Sequence, residues 1–241
     1  MVTVLCIKWG TAYGAPDVNV LRAMVARHLR LPHRFVCLTE RPEGIDPAVE
    51  IRPLPEMRLP KNPDANGGWR KIGVLSRAYA DLPGPILFLD LDVVVTGSLD
   101  VFFEHPGRFC IIENWTTPFQ RIGNSSVFRF EPGREAYVLD AFEADPDAAI
   151  ASVDNEQIYV SRHVEELVWW PKAWVRSYKF HCLRPGPLAR FLPPRLPRGC
   201  RIVAFHGKPK PDEAIAGSWI DKKGRPVQVR SAPWLAEHWR L

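Results

Sequence analysis

The sequence is short of several features that would fix a class at once. No Cys-x-x-Cys pair occurs, and the five cysteines stand scattered at Cys6, Cys37, Cys110, Cys182 and Cys200. An odd, dispersed set speaks against a disulfide framework and points to a reducing, cytoplasmic compartment. Cys6, Cys37 and Cys110 lie inside apolar runs, where a free thiol packs as a small hydrophobe. No apolar run reaches the roughly 18 residues that a membrane-spanning helix needs, so any membrane contact is expected to be peripheral. The amino terminus enters a strand-like run directly, without a signal-peptide pattern. No internal repeat and no long linker divides the chain, and one domain over residues 1–241 is expected. A dense basic stripe of the kind that binds nucleic acid is missing too. With 32 Lys and Arg against 27 Asp and Glu, the balance is +5, mild enough to suit a phosphorylated ligand or an anionic surface. What is present is ample material for a core, since 46% of the 241 residues are hydrophobic. The 24% charged fraction is that of a folded globular chain.

The pattern of elements is α/β. Val2–Trp9 is an apolar run closed by Gly10 and reads as a buried strand. Pro16 and Asp17 open a helix whose Val18, Leu21, Val25 and Leu29 recur at three- and four-residue spacing. Phe35–Thr39 and Val49–Leu54 read as further strands. The βαββ alternation implies a mostly parallel sheet flanked by helices. Residues 60–68 form a loop by composition. Trp69–Tyr79 places Ile72, Leu75 and Tyr79 on one face and predicts a helix. Phe109–Glu113 and Ser126–Phe130 are strands. Arg134–Phe142 and Asn155–His163 are helical, with Asp154 a candidate N-cap. After Val168 the chain is rich in Trp, Pro and Arg and irregular, apart from a last strand at Ile202–Phe205.

The stretch Ile86–Gly97, ILFLDLDVVVTG, carries the chemistry. Four apolar residues, as in a central strand covered on both faces, run into Asp90 and Asp92. Ionised carboxylates are costly to bury without a partner. Ligands of open α/β sheets bind beyond the carboxyl ends of the strands, where these two fall. With a period of two both side chains point one way, an oxygen-rich site for Mn²⁺ or Mg²⁺. The bland alternative has one Asp capping a turn and the other paired with an arginine. A sharper one is a phosphatase of the haloacid-dehalogenase type, with Asp90 as nucleophile and Asp92 as acid. Such an enzyme needs a later acidic pair, for which Asp145 and Asp147 are the available residues.

Residues Trp69–Asp92 resemble the core of GT-A glycosyltransferases, closest to the family 8 type. Three later segments follow in the same order: Gly123–Val127 (GNSSV), Asn155–Ile158 (NEQI) and Phe205–Pro211 (FHGKPKP). The last resembles a His…Gly-x-x-Lys-Pro element, with His and Gly adjacent here rather than two apart. NEQ stands in place of DQD, and Lys8, Trp9, Gly10 and Thr11 stand where the family's first strand ends near Asp-Asn. The resemblance implies a metal-dependent enzyme that moves a sugar from a nucleotide diphosphate, a UDP-sugar, to a hydroxyl of a glycan or lipid-linked acceptor. It implies Asp90, Asp92 and His206 as metal ligands, with Asp90 also near the ribose. Lys71 is implied as a donor contact and Lys210 as a contact to the diphosphate. Asn124 and Glu156 match positions near the transferred sugar, and with NEQ in place of DQD it is open which of Asn155, Glu156 and Gln157 faces it.

The residues themselves support parts of this. A divalent cation neutralises the charge that develops on a diphosphate leaving group, and a lysine adds a point charge. Trp9, Thr11 and Tyr13 follow the first strand, where a base would stack on an aromatic face. Residues 1–100 would then be the nucleotide-binding half and 101–241 the acceptor-side half. Trp115, Trp169, Trp170 and Trp174 offer aromatic surface for a sugar, one or two of them at the acceptor. The carboxyl-terminal SAPWLAEHWRL has the apolar and basic mix of an interfacial helix, but eleven residues are short, and packing on the domain is expected. A nucleotide-sugar binding domain without catalysis is a further alternative.

Overall fold

The structure, a computed structural model, describes residues 1–61 and 68–241. Most of the loop expected over residues 60–68 therefore lies outside the described residues. The frame is a seven-stranded sheet of β1 (Val2–Lys8), β2 (His33–Thr39), β3 (Glu50–Arg52), β4 (Ile86–Leu89), β6 (Phe109–Glu113), β7 (Gly123–Phe130) and β8 (Leu167–Trp169). Their spatial order is β3-β2-β1-β4-β7-β6-β8. All run parallel except β7, which is antiparallel to both neighbours. The expected α/β class with a mostly parallel sheet is what the chain adopts. Strands from both halves of the chain share this one sheet.

The sheet separates two cores by strict alternation. Val4, Cys6, Leu87 and Leu89 face the helix Ala15–His28, which presents Val18, Leu21, Met24 and Val25. Leu5, Ile7, Ile86 and Phe88 face the opposite layer, built from Trp69, Ile72 and Leu75 and the helices Ala136–Ala144 and Glu156–His163. Every residue of β4 is fully buried. Phe88 stacks on Phe128 at 4.7 Å, and truncating such a ring to alanine costs about 3–5 kcal/mol. The turn into β4 requires Gly84, whose φ is +62° and whose Cβ would stand 2.4 Å from the Met1 carbonyl oxygen.

A second sheet stands on the first core. In it β10 (Ile202–Ala204) lies between β5 (Val93–Val95) and β9 (Val175–Ser177). The expected irregularity of the carboxyl-terminal third is thus partial. Three-residue strands pair there over long sequence distances. All five cysteines are buried and free.

Three expectations change. Trp69–Tyr79 is not one α-helix but two 3₁₀ stretches, Gly68–Leu75 and Arg77–Tyr79. Ser76 breaks them, its side chain accepting from the Ala78 amide at 3.1 Å. Gly73 packs so tightly on Pro55 that a Cβ would stand 2.4 Å from the proline ring. Asn155, not Asp154, caps the helix Glu156–His163, accepting from the Ile158 amide at 3.1 Å. The strand period also stops at Leu89: residues 90–92 form a turn, closed by a Val93 amide to Asp90 carbonyl bond of 3.4 Å.

Candidate active site

The carboxyl end of β4 opens into a cavity of about 550 Å³. Three features of the backbone bring its walls together. First, β7 runs antiparallel to β4, so its beginning lies beside the end of β4, and the Asp90 amide donates to the Ser126 carbonyl at 2.9 Å. Second, the pairing of β6 with β7 jumps between Ile111, opposite Phe128, and Ile112, opposite Asn124. The intervening Ser125, Ser126 and Val127 are left without partners on that side, as in an enlarged β-bulge, and the two serines line the cavity. Third, the turn at 90–92 carries the chain from the large sheet into β5 of the small one. There β5 pairs with β10, whose end delivers Phe205 and His206 beside Asp92.

The polar side chains form two linked clusters. Lys71 bridges both oxygens of Asp90, at 2.7 and 3.0 Å, and reaches the Ser125 hydroxyl at 3.3 Å. Ser125 in turn donates from its hydroxyl to Glu156 at 2.9 Å, and its amide donates to Gln157 at 3.1 Å. The Ser126 amide donates to the Asn124 side chain at 3.1 Å. In the second cluster one Asp92 oxygen accepts from Lys210 and from the Tyr13 hydroxyl, both at 2.6 Å. Lys210 also meets the Tyr13 hydroxyl and lies 4.5 Å from the centre of its ring. Glu213 accepts from the Lys210 amide at 2.7 Å, which fixes the start of the following helix.

Charge follows from these contacts. Burial raises the Asp90 carboxyl above the ordinary range; Lys71 opposes this, and the neighbouring Asp92 and Glu156 add to it. Burial alone would depress Lys71, but Asp90 and Glu156 outweigh it, so the ammonium is held charged. Burial and then Asp92 push the Tyr13 phenol upward, and it stays protonated as a donor. His206 is driven down to about 4, first by burial and then by Lys179, and is neutral near pH 7. Its Nε2 shares a 2.7 Å hydrogen bond with the Ser177 hydroxyl. Its ring stacks on Trp115 and Phe180, at 5.8 and 5.5 Å.

Of the residues expected in a site, Trp9, Tyr13, Lys71, Asp90, Asp92, Asn124, Glu156, Gln157, His206 and Lys210 all line this one cavity. Thr11 does not; it is exposed in the turn before the first helix. Tyr13 serves Asp92 and Lys210 through its hydroxyl rather than standing free as a stacking face. Ser125 is the residue missed, since a serine inside a strand carries no pattern of its own. Trp170 belongs to the core, against Phe102 and Trp174, while Trp115 flanks the site beside His206. The acidic pair that a phosphatase would use is elsewhere. Asp145 caps a helix through the Ala148 amide and Asp147 accepts from the Lys61 amide.

The donor set suits a hard divalent cation by its chemistry: two carboxylates, and an imidazole that is neutral near pH 7. As the side chains stand, the lysines satisfy the carboxylates, and no three His, Cys, Asp or Glu groups among the described residues are gathered around one point. A bound ion would therefore compete with Lys71 and Lys210 for the same oxygens.

This mixed α/β architecture matches the GT-A class of glycosyltransferase folds. Among solved structures, the chain resembles the galactosyltransferase LgtC in complex with donor and acceptor sugar analogues. The identity is 13%, the TM-score 0.55, and the match covers 87% of this chain and 88% of that one. It also resembles the glycosyltransferase GlyE of Streptococcus pneumoniae TIGR4, at 12% identity and TM-score 0.57 over 88% of this chain and 56% of that one. The bifunctional WbbM glycosyltransferase matches at 13% and 0.57, over 87% of this chain and 46% of WbbM. No protein-family model and no curated protein sequence matches.

Proposed function

We propose that the protein is a glycosyltransferase that moves a sugar from a nucleotide diphosphate, a UDP-sugar, to a hydroxyl of a glycan or lipid-linked acceptor. The observation that carries this reading is the convergence of Asp90, Asp92, Lys71, Lys210, His206 and Glu156 on one cavity at the carboxyl edge of a GT-A-like sheet. A non-catalytic binder would need the cation-holding groups but not the hydrogen-bonded array of buried Ser125 and Glu156 with half-buried Gln157.

Asp90, Asp92 and His206 would hold a Mn²⁺ or Mg²⁺ ion. When bound, that ion supplies positive charge against the developing charge of the leaving diphosphate. The chain's own residues do the rest. Lys210, released from Asp92, places an ammonium on the diphosphate in a partly buried site, where each contact is stronger than in water. Tyr13 keeps its proton and orients Asp92. Lys71 fixes the rotamer of Asp90 and offsets its charge. Glu156, held by the Ser125 hydroxyl, and Gln157, held by the Ser125 amide, face the space where the sugar would lie. Asn124 is oriented in the same way by the Ser126 amide. Trp9, on the cavity wall, is the aromatic face left for the base. Thr11, exposed outside the cavity, has no role in this reading.

The test is a screen of nucleotide sugars by nucleotide release, with and without Mn²⁺, using glycan and lipid acceptors. Acceptor- and metal-dependent release with one donor is expected, reduced in Lys210→Ala. Phosphate release from a simple ester without any nucleotide would point to a phosphatase instead. Tight binding of a nucleotide sugar without turnover would leave only the binder.

A further inference from the structure

The mild overall charge conceals an uneven distribution. Between Glu166 and Asp212 the sequence holds ten lysines and arginines and no acidic residue. The other 22 basic residues face all 27 acidic ones, so the remainder of the chain is net negative. Ion pairs cancel only part of the run: Lys172, Lys208 and Lys210 pair with Glu113, Glu213 and Asp92, whereas Arg184, Arg190, Arg195 and Arg198 make none among the described residues.

Within this run, residues 183–197 fold into one loop. The Arg195 amide donates to the Cys182 carbonyl at 2.9 Å, the Leu192 amide to the Leu188 carbonyl at 2.9 Å, and Arg184 reaches the Pro193 carbonyl at 3.2 Å. The loop is tied down on one side. The Arg230 amide donates to the Ala189 carbonyl at 2.8 Å, and the Trp234 indole donates to the Pro194 carbonyl at 3.1 Å. Leu188, Phe191, Leu192 and Leu196 remain exposed, Phe191 by 73% and Leu188 by 50%. Four large apolar side chains so exposed on one loop mark an interaction surface rather than scattered surface residues.

We propose that this loop docks the protein on an anionic membrane surface. A lipid interface takes both parts of the surface, arginines at the headgroups and leucine and phenylalanine at the acyl boundary. A nucleic acid would satisfy the arginines and could stack on Phe191, but offers nothing to three aliphatic leucines. Prolines at 185, 187, 193 and 194 limit the backbone freedom lost on docking. The carboxyl-terminal helix is not the docking element. Its Leu235 is fully buried, and Arg27 binds the carbonyls of His238 and Arg240.

The test needs no substrate, and so stands apart from the transferase reading. The full chain is sedimented with vesicles of phosphatidylcholine alone and of phosphatidylcholine mixed with phosphatidylglycerol. Binding to the anionic vesicles is expected to exceed that to neutral ones by about tenfold or more and to fall as salt screens the charge. Phe191→Ser with Leu192→Ser, and separately Arg190→Gln with Arg195→Gln and Arg198→Gln, should each lower it by about tenfold. All five positions are exposed, so an unchanged melting temperature is expected of both variants. Equal binding to the two vesicles, or binding that ignores either variant, overturns the proposal. So does binding of a DNA duplex as tight as that of anionic vesicles and indifferent to the Phe191→Ser/Leu192→Ser change.

Discussion

Lys71 is the member of the cavity whose loss has the clearest consequence. Its side chain is 11% exposed and that of Asp90 22%, and the two are joined through both carboxylate oxygens. At 2.7 Å and an effective dielectric of about 20 the attraction is roughly 6 kcal/mol before desolvation is subtracted. Removing one partner of such a pair costs about 3–5 kcal/mol, because an uncompensated charge stays behind. Lys71→Met should therefore lower stability by about 3 kcal/mol at neutral pH, the lower end because Asp90 retains some solvent. Adding Asp90→Asn should recover about 2 kcal/mol, since no buried charge is then left alone. The pH dependence has a definite sign. The folded-state affinity of Asp90 for a proton is already raised and rises further without Lys71. A carboxyl raised on folding loses stability as pH increases from its unfolded value through its folded one, so the Lys71→Met deficit should shrink as pH falls below neutral. Urea unfolding of the two single variants and the double variant, at neutral and mildly acidic pH, reads all of this. A deficit below about 1 kcal/mol at neutral pH, or no recovery on adding Asp90→Asn, would show that the two groups are not paired.

Two further outcomes follow from the geometry. At Gly68 a Cβ would stand 2.7 Å from a Glu156 carboxylate oxygen. Gly68→Ala should displace that carboxylate, cutting turnover about a hundredfold while UDP affinity stays within about twofold; initial rates and a UDP titration separate the two. Burial, with one oxygen left unpaired among the described residues, raises Glu135 to about 7. Its ionisation therefore costs stability as pH rises from about 4.5 to about 7, and Glu135→Gln should gain about 3 kcal/mol at pH 8 and nothing at pH 4; thermal unfolding across that range checks it.

How much of this was legible depended on how local the signal was. The runs that became β1 and β4 are continuous and apolar because both faces of the strands are buried, and a run of that kind is visible in sequence. Asp90 and Asp92 stood out for the opposite reason, as charges breaking such a run. His206 and Lys210 were reached through the resemblance of FHGKPKP to a family element. Thr11 was misplaced because the end of a strand does not say which way the following turn faces. The 3₁₀ stretches passed for an α-helix because Ile72, Leu75 and Tyr79 fit both periods over so short a span. The break depends on Ser76 and on the packing of Gly73 against Pro55, a contact between residues 18 apart. The slip between β6 and β7 exposes Ser125 to the cavity, and the small sheet brings His206 to Asp92. Both are long-range pairings that no window of sequence contains.

The most direct measurement is a calorimetric titration of UDP into the wild-type protein and into Asp92→Asn, each with and without Mn²⁺. Mn²⁺ should tighten UDP binding to the wild type by about tenfold or more, and Asp92→Asn should remove the difference with the fold intact. UDP affinity that is the same with and without the ion, and the same in both proteins, would contradict this.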